Sequence, residues 1–189
     1  MIIIEDKAQK EGKHDHKIRF WKSKGIEIMR CPLPVGDYIL GTAKVMDVIS
    51  RKEKRGIALK KMDFLGTYDT VVDTKQSIQE LESDICGKQH ERFRDECILA
   101  ANNNIRLYIL IENEDGINKL SELHKWVNPR LWIKRGGKRV YPHAVRGVSL
   151  MKACMTMQHK YGCEFLFCTP EEAGKVIIDI LGENYEAKS

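Results

Sequence analysis

The chain has 189 residues, 42% of them hydrophobic and 31% charged, with a formal net charge of +5. That length is enough for one domain with its own core, and the composition excludes a disordered or fibrous chain. No apolar run approaches the roughly 20 residues of a membrane helix, and Met1-Ile2-Ile3-Ile4-Glu5-Asp6 lacks the basic start and long apolar stretch of a secretory leader, so a cytoplasmic protein with no membrane contact is expected.

In chain order, residues 2–5 read as a hydrophobic strand closing on Glu5-Asp6. The polar segment 7–24 carries Ile18 and Trp21 at helical spacing, which predicts a surface helix in its second half, ended by Gly25. His14 and His16 stand at its start without other obvious ligands and read as solvated. Residues 26–31 predict a strand stopped by Pro32-Leu33-Pro34. After Gly36, residues 37–40 and 44–49 read as an antiparallel hairpin about Gly41-Thr42. Residues 50–69 are basic with scattered apolar residues, either a DNA-facing loop, a hairpin extension or a solvated insertion.

The β-branched run Thr70-Val71-Val72-Asp73-Thr74-Lys75 is the strand around which the chain is organised. A long helix follows, with Ile78, Leu81 and Ile85 on one face, a bend at Gly87, and Phe93 and Cys97 resuming the stripe. Residues 105–112 predict a buried strand closing on Glu112, and 113–122 a loop with one helical turn. Leu131–Lys134 and Arg139–Tyr141 predict a hairpin with a Gly136-Gly137 turn and a basic tip. Residues 149–161 read as a Met-rich helix ended by Gly162, 163–168 as an apolar strand, and Thr169-Pro170-Glu171-Glu172 as the cap of a final helix stopped by Gly182. The expected fold is α/β, a central mixed sheet flanked by helices, in a single domain over 1–189. Its motif-bearing core is 1–112, with the basic insertion at about 50–69, and 113–189 forms a C-terminal hairpin and helix-strand-helix extension.

The six cysteines, Cys31, Cys86, Cys97, Cys154, Cys163 and Cys168, contain no Cys-x-x-Cys pair and suit small core residues rather than disulfides or a zinc site. Lysine and arginine gather at 51–61 and 130–146, which suggests a polyanion partner against the plainer reading of a solvated surface.

Acid-x-Lys is weak by itself, since it recurs at Glu5-Asp6-Lys7, Glu11-Gly12-Lys13, Asp15-His16-Lys17 and Glu186-Ala187-Lys188. Context separates Asp73-Thr74-Lys75, which has a strand before it, a helix after it, and a second strand-borne acid upstream in Gly36-Asp37-Tyr38. Two such acids and a lysine suit a hard divalent cation and a phosphate oxygen. Convergence of Asp37 and Asp73 would raise one of their pKa values, and bound Mg²⁺ would relieve the repulsion. The Thr74 carbonyl would complete the protein ligands, and Lys75 would orient the attacking water or neutralise developing charge on phosphorus.

Gly36-Asp37-Tyr38, Asp73-Thr74-Lys75, the helix after it and Leu110-Ile111-Glu112, with Glu5-Asp6 at the start, resemble the nuclease domain of the XPF family of structure-specific endonucleases, of the PD-(D/E)xK superfamily. The resemblance covers roughly residues 1–112 and implies a restriction-endonuclease-like fold. It implies a Mg²⁺-dependent endonuclease, with Mn²⁺ able to substitute, acting on branched or flapped DNA in repair or recombination. Asp37 takes the place of the Gly-Asp acid, Asp73 that of the Glu and Lys75 that of the Lys. Thr74 replaces the family's Arg, Gln79 stands at the final acid with Glu80 beside it, and Asp6 alone remains of the opening motif. The catalytic set implied is Asp37, Asp73, Lys75 and Asp6, with Asp37, Asp73 and Thr74 as metal ligands.

Arg92 and Arg94, and the tip residues Lys134, Arg135, Lys138 and Arg139, are candidates for DNA contact, while His90 lines the cleft or belongs to an exposed helix face. A stand-alone domain of phage or bacterial type is implied, and by resemblance a homodimer. The competing readings are a catalytically degenerate DNA-binding module and an interaction domain that binds no nucleic acid.

Overall fold

A computed structural model of the chain describes residues 1–10, 12 and 15–186, the stretch 183–186 by backbone alone. Strands β1 (Ile2–Asp6), β2 (Glu27–Cys31), β3 (Tyr38–Leu40), β4 (Thr70–Lys75), β5 (Arg106–Glu112) and β8 (Glu164–Cys168) form one mixed sheet in the order β2-β1-β3-β4-β5-β8. Only β3 is antiparallel to its neighbours. The remaining pair, β6 (Lys134–Arg135) and β7 (Lys138–Arg139), stands apart as a short hairpin.

Side-chain alternation along the strands sorts the core onto two faces of the sheet. Ile4, Ile39, Val71, Ile109 and Ile111 meet helices α2 (Ala43–Lys54), α3 (Ile78–Cys86), α4 (His90–Asn102) and α5 (Gly147–Tyr161). Ile3, Tyr38, Val72 and Leu110 meet α1 (Asp15–Ser23) and α6 (Pro170–Glu186). Helix α6 lies close on α1: Trp21 Nε1 donates to the Gly174 carbonyl at 2.8 Å, and a Cβ on Gly174 would stand 2.9 Å from Phe20. Among the described residues, no helix is long and apolar enough to cross a membrane.

The structure departs from the sequence reading at three places. Residues 44–49 are helical, because Thr42 caps α2 through its hydroxyl, which accepts from Val45 N, and Val45, Met46, Val48 and Ile49 carry the i, i+1, i+3, i+4 spacing of a helix face. The 50–69 segment is built of regular elements: it completes α2 and a 3₁₀ turn at Lys61–Phe64 that Lys52 ties down through Asp63, with Phe64 and Tyr68 in the core, while residues 53–58 and 60–62 stay exposed to solvent. Gly182 does not stop α6, which runs on to Glu186; one helical glycine costs only about 1 kcal/mol.

The break at Gly87 and the Gly162 cap, in left-handed conformation, follow the sequence. The cysteines are free, five buried and Cys86 half-buried. Residues 113–186 form the hairpin and the helix-strand-helix, supplying the edge strand β8 and a helix to each face. His14 lies outside the described residues.

Candidate active site

Because β3 alone runs backwards, its first residues arrive at the edge of the sheet where β1 and β4 end. Asp37 therefore sits between Asp6 on one side and Asp73 on the other. Asp6 N donates to the Asp37 carbonyl at 2.7 Å, and Asp37 N to the Val72 carbonyl at 2.9 Å. Gly36 makes this approach possible, for its φ is +66° and a Cβ there would lie 2.3 Å from Val71 Cγ2. These residues border a cleft of about 450 Å³ lined also by Gln9, Lys61, Lys75, Glu80, Asp84, Arg92 and Glu96.

Asp37 is held by hydrogen bonds on both oxygens. Oδ2 accepts from Thr74 N at 2.8 Å and Thr74 Oγ1 at 2.6 Å, and Oδ1 accepts from the Gln9 side-chain amide. Asp6 Oδ1 accepts from Leu33 N at 3.0 Å, which fixes its carboxylate at the cleft wall. Arg30 braces the loop that presents Gln9, donating to the Gln9 and Lys7 carbonyls while pairing with Glu5 at 3.2 Å.

Lys75 is clasped between two carboxylates, 2.7 Å from Asp73 Oδ2 and 2.8 Å from Asp84 Oδ2. Burial works against its charge, but the paired acids outweigh burial and raise its pKa, so the ammonium is fixed. Burial pushes the Asp73 carboxyl well above the usual carboxylate range; Lys75 opposes this, and Asp37 and Glu96 reinforce it. The Glu96 carboxyl is also raised, chiefly by burial and against the Gly36 amide, which donates to its Oε1 at 2.7 Å. At Asp73 the repulsion from Asp37 thus adds to the larger effect of burial.

A divalent cation fits this donor set. Asp73 lines the cleft with its Oδ2 buried and met by the Lys75 ammonium at 2.7 Å, an oxygen already set to face positive charge. Among the described residues, no three His, Cys, Asp or Glu side chains close on a metal by themselves.

Other candidates fall elsewhere. Arg92 lines the cleft, whereas half-buried Arg94 pairs with Asp95. His90 Nδ1 bonds the Ile85 carbonyl where the helix breaks. Glu80 lines the cleft and accepts from Gln76 N. Glu112 projects to the opposite face of the sheet, where it pairs with the fully buried Lys17 and lies 3.5 Å from His16 Nε2. Lys134, Arg135, Lys138 and Arg139 are exposed on the β6–β7 hairpin.

Two cleft residues escaped the sequence reading, Asp84 and Glu96. Each is an acid set in an apolar helical stripe, Asp84 between Leu81 and Ile85 and Glu96 between Phe93 and Cys97. A charge at such a position needs a buried partner, and that was the available signal.

The model of the ERCC4 domain matches residues 5–179. The chain belongs to the ERCC4 domain family. The match continues well past Glu112, in keeping with the part that β8, α5 and α6 take in the fold. Among solved structures, XPF from Aeropyrum pernix is similar at 18% identity and TM-score 0.56 over 98% of this chain and 65% of that one. The same protein in complex with DNA is similar at 16% identity and TM-score 0.56, over 98% and 66%. This ERCC4 domain thus spans just under two thirds of that relative, and the likeness establishes a restriction-endonuclease-like fold. No curated protein matches it.

Proposed function

We propose that this ERCC4 domain is a metal-dependent structure-specific DNA endonuclease that hydrolyses phosphodiester bonds in branched or flapped DNA, in repair or recombination. The observation that carries the reading is the meeting of Asp37, Asp73 and a charge-fixed Lys75 at one edge of the sheet, in a chain of this family.

Asp37 and Asp73, with the Thr74 carbonyl, would hold Mg²⁺ or Mn²⁺, which supplies Lewis-acid polarisation of a phosphate oxygen and makes water a better nucleophile. Lys75, held by Asp84, keeps its ammonium at the cleft to orient the nucleophile and neutralise charge developing on phosphorus. Gln9 on Asp37 is the contact a cation would displace. Thr74 fixes the orientation of the Asp37 carboxylate, and Asp6 flanks it. Arg92 and Lys61 offer positive charge to the flanking phosphates from the cleft wall, while Arg94 and the hairpin residues extend the DNA-binding surface beyond it. A homodimer is the expected assembly.

One observation favours a second reading, a catalytically degenerate DNA-binding module: both Asp37 oxygens and both sides of Lys75 are already engaged within the protein. Cleavage of end-labelled four-way junction, flap, duplex and single-stranded DNA, with Mg²⁺, Mn²⁺ or EDTA, separates the two. The nuclease reading expects metal-dependent cutting that favours the branched substrates; salt-sensitive binding without cutting under any metal selects the degenerate module.

A further inference from the structure

Between Glu122 and Glu164 the sequence has no Asp or Glu but nine Lys and Arg, so the whole positive excess of the chain lies there and the rest is net acidic. At the centre of this stretch stands the β6–β7 hairpin, with every residue from Trp132 to Tyr141 exposed. Its register sets Lys134 opposite Arg139 and Arg135 opposite Lys138. Like charges facing across a strand pair cost stability, so the arrangement is built for an anion that lies outside the protein.

The neck below the charges is apolar. Trp132 is 73% exposed, beside Ile133, Val140 and Tyr141, whereas Trp21 and Trp126 are buried. The neck is also anchored. Arg130 lies over the Tyr141 ring, 5.2 Å from its centre, and its Nη1 donates to the Gln79 carbonyl, Glu82 Oε2 and Ser83 Oγ at 3.0, 3.0 and 2.6 Å. Gln79 and Ser83 immediately precede Glu80 and Asp84, which line the cleft, so α3 carries both the foot of the hairpin and a wall of the active site.

We propose that the 130–141 hairpin is a docking surface for the unpaired strand of the DNA substrate, with bases stacking on Trp132 and phosphates meeting Lys134, Arg135, Lys138 and Arg139. The proposal rests on the nuclease reading for the identity of the polyanion. A duplex hides its base faces within its own stack, whereas an unpaired strand offers them to an exposed aromatic ring flanked by cations. A second copy docked hairpin to hairpin is a poor occupant, since it would bring the same acid-free surface against itself.

Because Trp132 is the one exposed tryptophan of three, it reports its own occupancy. In a fluorescence titration without metal, short oligothymidylate is expected to quench the accessible emission, and a blunt duplex at equal phosphate concentration is not. Trp132→Ala should weaken oligothymidylate binding roughly 5- to 100-fold, Trp132→Phe should retain most of the affinity, and Trp132→Leu should not.

Unchanged affinity in Trp132→Ala, equal binding by the Leu and Phe variants, or equal quenching by duplex would overturn the proposal. So would concentration-dependent shielding of Trp132 from acrylamide without DNA, which would mean that a second copy covers it. The titration needs no cutting, so a protein that cleaves nothing can still support the docking surface. Metal-dependent cleavage beside unaltered Trp132→Ala binding sinks this proposal alone.

Discussion

Gly36→Ala tests the turn that sets Asp37 between β1 and β4. The new Cβ would stand 2.3 Å from Val71 Cγ2, a side chain with no exposure, and 3.2 Å from the Val72 carbonyl. Holding a non-glycine residue at φ +66° costs about 1–2 kcal/mol. Overpacking against a filled core costs about 1–3 kcal/mol more, for a combined loss of roughly 2–5 kcal/mol. Against a total of about 5–15 kcal/mol that is a large fraction, and in a chain of this size each kcal/mol lowers Tm by about 2–4 °C.

Urea unfolding of Gly36→Ala, Val71→Ala and the double variant separates the two parts. Val71→Ala alone should cost about 1–3 kcal/mol through its cavity. In the double variant the clash is gone and only the backbone strain remains, so the losses should fall short of additivity by about 1–3 kcal/mol. Additivity to within about 0.5 kcal/mol would refute the steric account of this turn.

Further outcomes follow from the same geometry. Asp73→Asn should stabilise the protein at neutral pH, because an acid whose folded pKa is raised loses stability as pH climbs past its unfolded value near 3.8. The advantage should vanish in melts below that pH, and millimolar Mg²⁺ should raise the Tm of the parent but not of the variant. Asp84→Asn removes one of the two carboxylates on Lys75 and should slow cleavage by about tenfold or more, whereas Gln79→Ala should change it only a few-fold. Lys17→Met leaves Glu112 buried with His16 as its remaining ion-pair neighbour among the described residues and should cost about 3–5 kcal/mol. Adding Glu112→Leu should restore stability, with cleavage per folded molecule unchanged because the pair lies across the sheet from the cleft.

Much of this architecture was legible in the sequence because the strands carry it locally. Thr70–Lys75 declares itself by β-branching, and the parallel strands after it by continuous apolar runs. Residues 44–49 misled because a short apolar run fits either period, and the deciding contact is a Thr42 hydroxyl on one backbone amide. Asp37 and Asp73 could be paired by motif order. The partners that set their electrostatics, Asp84 and Glu96, come from helices whose packing angle no local pattern encodes. Glu112 shows the converse: it ends a strand as Asp6 does, yet alternation turns it to the other face, toward a lysine 95 residues earlier.

The most direct test of the central claim compares the parent protein with Asp73→Ala on an end-labelled branched substrate in Mg²⁺, with binding to the same DNA measured alongside. The account predicts metal-dependent cutting that the substitution abolishes while binding persists. Cutting that survives the loss of the Asp73 carboxylate would contradict it.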